Sequence, residues 1–161
     1  MTVRKIHLET KYLQYHSHLG QTAMVKVPEE AKAVFDKQKI IPLATVDKSG
    51  KPNVVMVAFW WWVDDEYIAI VENFLQKTHD NLTTTKWGCM VAYDMSIHKS
   101  YQIKGKAEYI TAGPLFDEGR KRVEEFMKKN PIEMPGRAVW KLKVEELYFT
   151  APGPNAGKRL A

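Results

Sequence analysis

The sequence holds a single cysteine, Cys89, in 161 residues. That excludes an intrachain disulfide and fits a reducing cytoplasm. No apolar run approaches the roughly 20 residues a membrane helix needs, so no membrane partner is expected. The opening MTVRKIHLETKYLQYHSHLG lacks the continuous apolar core of a signal peptide. There is no glycine-rich dinucleotide fingerprint, no P-loop and no internal repeat. Ser-His-Asp, paired-carboxylate and Cys-His arrangements with a clear role are missing too, so no catalytic side chain is assigned. His16-Ser17-His18 brings two imidazoles close together, but no carboxylate or cysteine stands at useful spacing. It reads as a solvent-exposed pair, and no metal site is expected.

What is present fits one globular domain with a single core. Hydrophobic residues make up 45% and charged residues 27%, ordinary values for a folded chain. The net charge of +5 raises the question of a nucleic-acid or phosphorylated partner. The basic residues are mixed with acids, as in EGRKRVEEFMKK, the pattern of a solvated helix face. Trp60, Trp61 and Trp62 alternate between two faces of a strand, which breaks up a base-stacking platform. Nucleic acid is therefore not expected as a partner. A nucleic-acid-binding barrel would hold no cofactor and show a steep salt dependence.

Along the chain, residues 1–27 lack a clear period and read as an N-terminal extension. VPEEAKAVFDKQK predicts a helix, with Pro28 near its start and Ala31, Val34 and Phe35 on one face. Strands are predicted in IIPLATVD, PNVVMVAFWWWV, EYIAIVEN, WGCMVAYDM, SYQIKGKAEYI and RAVWKLKVEELYFT. LFDEGRKRVEEFMKKN is an amphipathic helix carrying Phe116, Val123, Phe126 and Met127 on one side. Hairpin-length connections favour an antiparallel, mainly β chain over a parallel βαβ sheet. A closed or nearly closed barrel is the natural way to manage the strand edges.

PNVVMVAFWWWV is read as one long strand. Alternation puts Asn53, Val55, Val57, Phe59 and Trp61 on one face, and Val54, Met56, Ala58, Trp60 and Trp62 on the other. Both faces are apolar, so one should line the core and the other should meet a helix, a flat ligand or a second subunit.

Lys77-Thr78 in NFLQKTHDNL stands where a helix should begin. The first N–H groups of that helix are unpaired and its dipole attracts anions. A lysine charge and a threonine hydroxyl there suit a phosphate, although a threonine cap beside a surface lysine is also common. Cys89, within an apolar strand, reads as a small core residue.

In order, LATVDKSGKPNVVMVAFWWW, EYIAIVENFLQKTHDNL, CMVAYD and YQIKGKAEYI resemble the flavin-binding split-barrel family related to pyridoxamine 5′-phosphate oxidase. The resemblance covers residues 28–150 as one domain, and the Pro/Gly-rich basic tail 151–161 also looks like members of the group. It implies a six-stranded antiparallel split β-barrel that binds FMN, dimeric, with the flavin at the subunit interface. By position it implies that Met56, Val57, Ala58 and Phe59 run beside the flavin ring and ribityl chain. Val71, Glu72 and Asn73 match the segment contacting the ring, Lys77 and Thr78 the phosphate pair. Ser100 falls where the neighbouring strand pair reaches the flavin. The basic residues that the oxidase proper carries in its second strand look replaced by Met56 and Trp61, so a phosphorylated pyridoxine substrate is not implied. The expected function is an FMN-dependent oxidoreductase acting on a small molecule or a redox partner. A non-enzymatic flavin carrier or electron-transfer module, or a deazaflavin-dependent reductase, are the alternatives on the same fold. Lys158-Arg159 is either a loose basic end or a reach back to the phosphate.

Overall fold

The chain turns first where its hydrogen bonds demand it. The computed structural model describes residues 24–161; residues 1–23, with His16 and His18, lie outside the described residues. Strand β1 (Ile41–Val46) folds back on β2 (Pro52–Val57) with Ile41 opposite Val57. The Asp47 carboxylate ties that turn by accepting from Ser49 N, Ser49 Oγ and Lys51 N. Gly50 sits at φ +86°, where a side chain would be strained. Strands β3 (Trp60–Trp62) and β4 (Tyr67–Glu72) form the next hairpin. Asp64 closes it by accepting from Glu66 N and Tyr67 N.

Strands β5 (Trp87–Asp94), β6 (Lys99–Ile110), β7 (Ala138–Phe149) and β8 (Lys158–Arg159) complete an eight-stranded antiparallel sheet. Its order is β2-β1-β5-β6-β7-β4-β3, with β8 added on β7. The strands at the two ends of that order, β2 and β3, are consecutive in sequence. Only Ala58 and Phe59 separate them, so the sheet must curl until its ends meet: this is the split barrel. Helices α1 (Glu29–Asp36), α2 (Lys77–Thr85) and α3 (Pro114–Met127) pack around it.

Two sequence expectations change here. PNVVMVAFWWWV is not one strand, because β2 pairs with β1 whereas β3 pairs with β4. A strand changing partners between two sheet edges has to break. With β8 as the other addition, the strand count among the described residues is eight rather than six. The break also slips the pleat by one residue. Val55, Val57, Trp60 and Trp62 all pack on the barrel core, whereas Phe59 and Trp61 pack on a second cluster. The predicted faces therefore hold within β2 but not across into β3.

The barrel core gathers Ile41, Leu43, Ile68, Ile70, Met90 and Ile103, with Trp140 and Phe35 of α1 fully buried among them. Each such side chain contributes about 1.5–3 kcal/mol of burial. Val25 and Val27 join this core, so the packed unit begins slightly before the helix. The second cluster lies under α3, where Val123 meets Trp61, Val71 and Val139. Gly119 permits that approach, since a Cβ there would stand 2.6 Å from Val139 Cγ2. Phe126 packs edge-on against Phe59 at 5.3 Å.

The outer face of β2 is left open, with Val54 60% and Met56 61% exposed. The registers continue it into an apolar strip: Met56 lies opposite Pro42, Val54 opposite Ala44, and Ala44 opposite Cys89. Cys89 is thus on the outer face and half-buried, not in the core. Burial raises its thiol pKa.

Candidate functional site

Where the chain crosses from β2 to β3, it forms one wall of a groove with Val55, Met56, Val57, Ala58 and Phe59. The opposite wall is built from Val71, Asn73, Phe74 and Leu75 at the end of β4, with Met134 above them. Two contacts set its shape. Val71 N donates to Phe59 O at 2.9 Å, and Gly136 N donates to Asn73 Oδ1 at 3.0 Å. Of the ten predicted cofactor residues, Met56, Val57, Ala58, Phe59, Val71 and Asn73 come together here. The groove is mostly apolar, with backbone and one amide for polar contact, the usual make-up of a site for a flat ring.

Beside it runs a polar groove lined by Asp47, Lys51, Asn53, Lys77, Asp80 and Asn81. Helix α2 starts at Lys77, and its cap residue Gln76 makes no side-chain cap bond. The first-turn N–H groups therefore remain for an outside acceptor. The two lysines and this uncapped turn favour an anion. Asp80, in the same turn, opposes one. Asp47 opposes one too, since hydrogen bonds from Ser49 and Lys51 hold its carboxyl below the usual range and keep it charged.

Thr78 does not line this groove. It is buried, and its Oγ1 accepts from Asn53 Nδ2 at 2.9 Å. Asn53 and Asn81 both donate to Thr45 Oγ1, at 3.3 and 3.0 Å. A small amide–hydroxyl network thus fastens the start of α2 to β1 and β2. Glu72 also turns away. It shares the inward parity of Ile68 and Ile70, and its Oε2 accepts from Trp140 Nε1 at 2.7 Å and meets His79 Nδ1 at 2.9 Å. Thr78 and Glu72 therefore stand behind the grooves. Ser100 lines neither groove; its hydroxyl donates to Ala92 O at 2.9 Å and lies 2.8 Å from Thr150 Oγ1.

Lys51, Asn53 and His79 are additions to the predicted set. Asn53 carried a signal: it is a polar residue on the inward face of β2 beside Val55 and Val57, and such a residue needs partners. Lys158-Arg159 forms β8, and Arg159 Nη2 donates to Glu145 O at 3.3 Å. Among the described residues, no cluster of three or more His, Cys, Asp or Glu side chains is placed to hold a metal. Among the same residues, no helix is long and apolar enough to cross a membrane.

The chain is similar to known proteins. An uncharacterized protein of Methanocaldococcus jannaschii is 29% identical over 149 residues, covering 91% of this chain and 96% of its own. The crystal structure of HupZ from Group A Streptococcus superposes with a TM-score of 0.66 at 25% identity, over 81% of this chain and 99% of that one. An FMN-binding protein from Syntrophomonas wolfei superposes with a TM-score of 0.67 at 17% identity, over 91% and 99% of the two chains. At that identity the last likeness establishes the fold alone. Residues 27–151, from the buried Val27 through the end of β7, match the sequence profile of pyridoxamine 5′-phosphate oxidase. On that match the chain belongs to the pyridoxamine 5′-phosphate oxidase family.

Proposed function

We propose that this chain is an FMN-binding flavoprotein, an oxidoreductase that works as a homodimer with the flavin at the subunit interface. One observation carries the reading: the apolar and polar grooves share strand β2. Asn53 lines the polar groove and residues 55–59 line the apolar one. The opposite wall likewise runs from Val71 and Asn73 to Lys77 over a few residues. A ligand with a flat ring at one end and a phosphate at the other matches that order. The FMN-binding protein of Syntrophomonas wolfei, on the same fold, supports it.

On this reading Met56, Val57, Ala58 and Phe59 would flank the ring, with Val71 and Asn73 across from them. Lys77 and the first turn of α2 would hold the phosphate, with Asn53 fixing that turn through Thr78. Thr78 and Glu72 support those elements from behind, and Ser100 takes no part in the arrangement within one chain. Bound flavin supplies electron or hydride transfer through its own ring. The chain's part is to grip the phosphate, exclude water from one ring face and leave the other accessible.

The homodimer is supported by the open strip of Pro42, Ala44, Val54 and Met56. An exposed apolar sheet face of this kind calls for a covering partner. The single cysteine supports a cytoplasmic setting.

The test is the visible spectrum of the purified protein, followed by mass analysis of the released chromophore. A flavin spectrum and the mass of FMN are expected. A deazaflavin mass, a haem spectrum or a colourless protein that ignores added FMN overturns the cofactor reading. Rapid reoxidation by a small substrate marks an enzyme. Slow exchange with a redox protein only marks a carrier.

A further inference from the structure

Helix α2 is nine residues long and has no side-chain cap, yet its first turn must point Lys77 at a defined place. Four side-chain bonds fasten it. Thr78 holds Asn53 of β2, Asn81 holds Thr45 of β1, and Thr85 Oγ1 donates to Val46 O of β1 at 3.2 Å. Residues three or four apart lie on one line of a helix, so these three bonds act as a hinge along a single edge. A helix fixed along one edge can still roll about it. The fourth bond comes from His79, about 100° further round the axis than Thr78. His79 Nδ1 reaches Glu72 Oε2 at 2.9 Å on a different strand, β4.

The His79 anchor is itself rigid. Glu72 is 2% exposed, and its Oε2 also accepts from Trp140 Nε1 at 2.7 Å. The His79 ring is walled edge-on by Tyr109 at 5.3 Å and Trp140 at 5.6 Å between centroids. Lys77 lies about 100° from Thr78 on the side away from His79. Any roll of α2 about the Thr78–Asn81 edge therefore swings Lys77 across the polar groove. Glu72 is also joined directly to Val71 and Asn73, which line the apolar groove. The bond thus links the two grooves mechanically.

We infer that His79, held by Glu72, is a positioning residue that sets the roll of α2 and so the reach of Lys77, giving the site its preference for a phosphorylated flavin. The inference rests on the proposed flavin reading. It assigns His79 no contact with the ligand.

The test uses FMN and riboflavin titrated into apoprotein, with the ratio of their dissociation constants as the readout. His79→Phe keeps an aromatic ring between Tyr109 and Trp140 but removes the donor. His79→Asn keeps a donor near the position of Nδ1. In His79→Phe the FMN-over-riboflavin preference should fall about five- to tenfold, the scale of one lost hydrogen bond. His79→Asn should recover at least part of it, and riboflavin affinity should stay close to wild type in both. Thermal unfolding is measured alongside, because a purely structural role lowers stability without changing the ratio. An unchanged ratio in a folded His79→Phe overturns the inference, as does a loss that His79→Asn fails to repair. If His79→Phe does not fold, His79→Asn and Glu72→Gln decide, since both keep a hydrogen bond and both should hold the preference. A preference lost in a folded form of either overturns the inference. A wild-type protein with no preference for FMN overturns the flavin-phosphate reading itself, a separate outcome.

Discussion

Asn53 on β2 donates to the hydroxyl of Thr78, 2.9 Å away in the first turn of α2. The bond spans 25 residues of sequence and joins the shared strand of both grooves to the helix bearing Lys77. Thr78→Val should keep the volume and leave the Asn53 amide short of an acceptor. The expected cost is about 0.5–1.5 kcal/mol of stability, the net worth of one hydrogen bond, since Asn53 is only half-buried. Thr78→Ser should recover most of it. Urea unfolding of the three proteins measures both effects.

Lys77→Ala should weaken FMN binding by about 1.5–3 kcal/mol, as for a lost charge-assisted hydrogen bond, and leave riboflavin binding unchanged. Calorimetric titration of apoprotein with each ligand gives the comparison. Equal binding of both ligands by wild type and variant alike would falsify the phosphate anchor.

Met56→Asp places a charge in the open strip where Met56 is 61% exposed. A monomer tolerates it. A dimer burying that strip does not, since desolvating an unpaired carboxylate costs several kcal/mol. The variant should remain folded, sediment as a monomer and lose flavin. A monomeric wild type fully loaded with flavin sinks the shared site. Trp60, expected on the same face as Met56, instead packs on the barrel core, 6.3 Å from Phe35 between ring centroids.

Asp94 is nearly buried between β5 and β6 and bonds Lys37 of the α1 C-cap and Ser96. Lys37 first, then Ser96, holds its carboxyl at about 2, well below the ordinary 3.8. A lowered pKa means stability that is fully present above the ordinary value and lost as pH falls through about 2. Melting temperature should therefore fall across that window. Asp94→Asn should melt lower than wild type at neutral pH, and the gap should close near pH 2. A gap of constant size argues against the Asp94 contribution.

Most of the fold is legible because alternation marks β1, β5, β6 and β7, a continuous apolar run marks β4, and Ala31, Val34 and Phe35 mark α1. The break at Ala58–Phe59 is not legible. Neither residue is a turn former, and the interruption comes from a change of partner strand, a tertiary event. The two residues of β8 carry no apolar pattern at all. For the candidate site, the family resemblance points to the stretch around Met56–Phe59 and to Val71 and Asn73, and the expected helix start points to Lys77. The burial of Thr78 depends on Asn53 from a distant strand, so local sequence does not reveal it. The inward turn of Glu72 does follow from its parity with Ile68 and Ile70.

The crossing at Ala58–Phe59 also has a consequence for how the chain is made. Strand β4 finds its long neighbour only in β7, with Val71 opposite Val139, and β7 leaves the ribosome far later. Until then the β3–β4 hairpin, with its tryptophans, Ile68 and Ile70, has no barrel to enter. Such late, non-local pairing slows folding and exposes apolar strands to aggregation. The nascent chain should therefore depend on chaperone cover through the synthesis of β5, β6 and α3. Truncation before Ala138 should leave an insoluble product, although β1, β2, β5 and β6 would all be present.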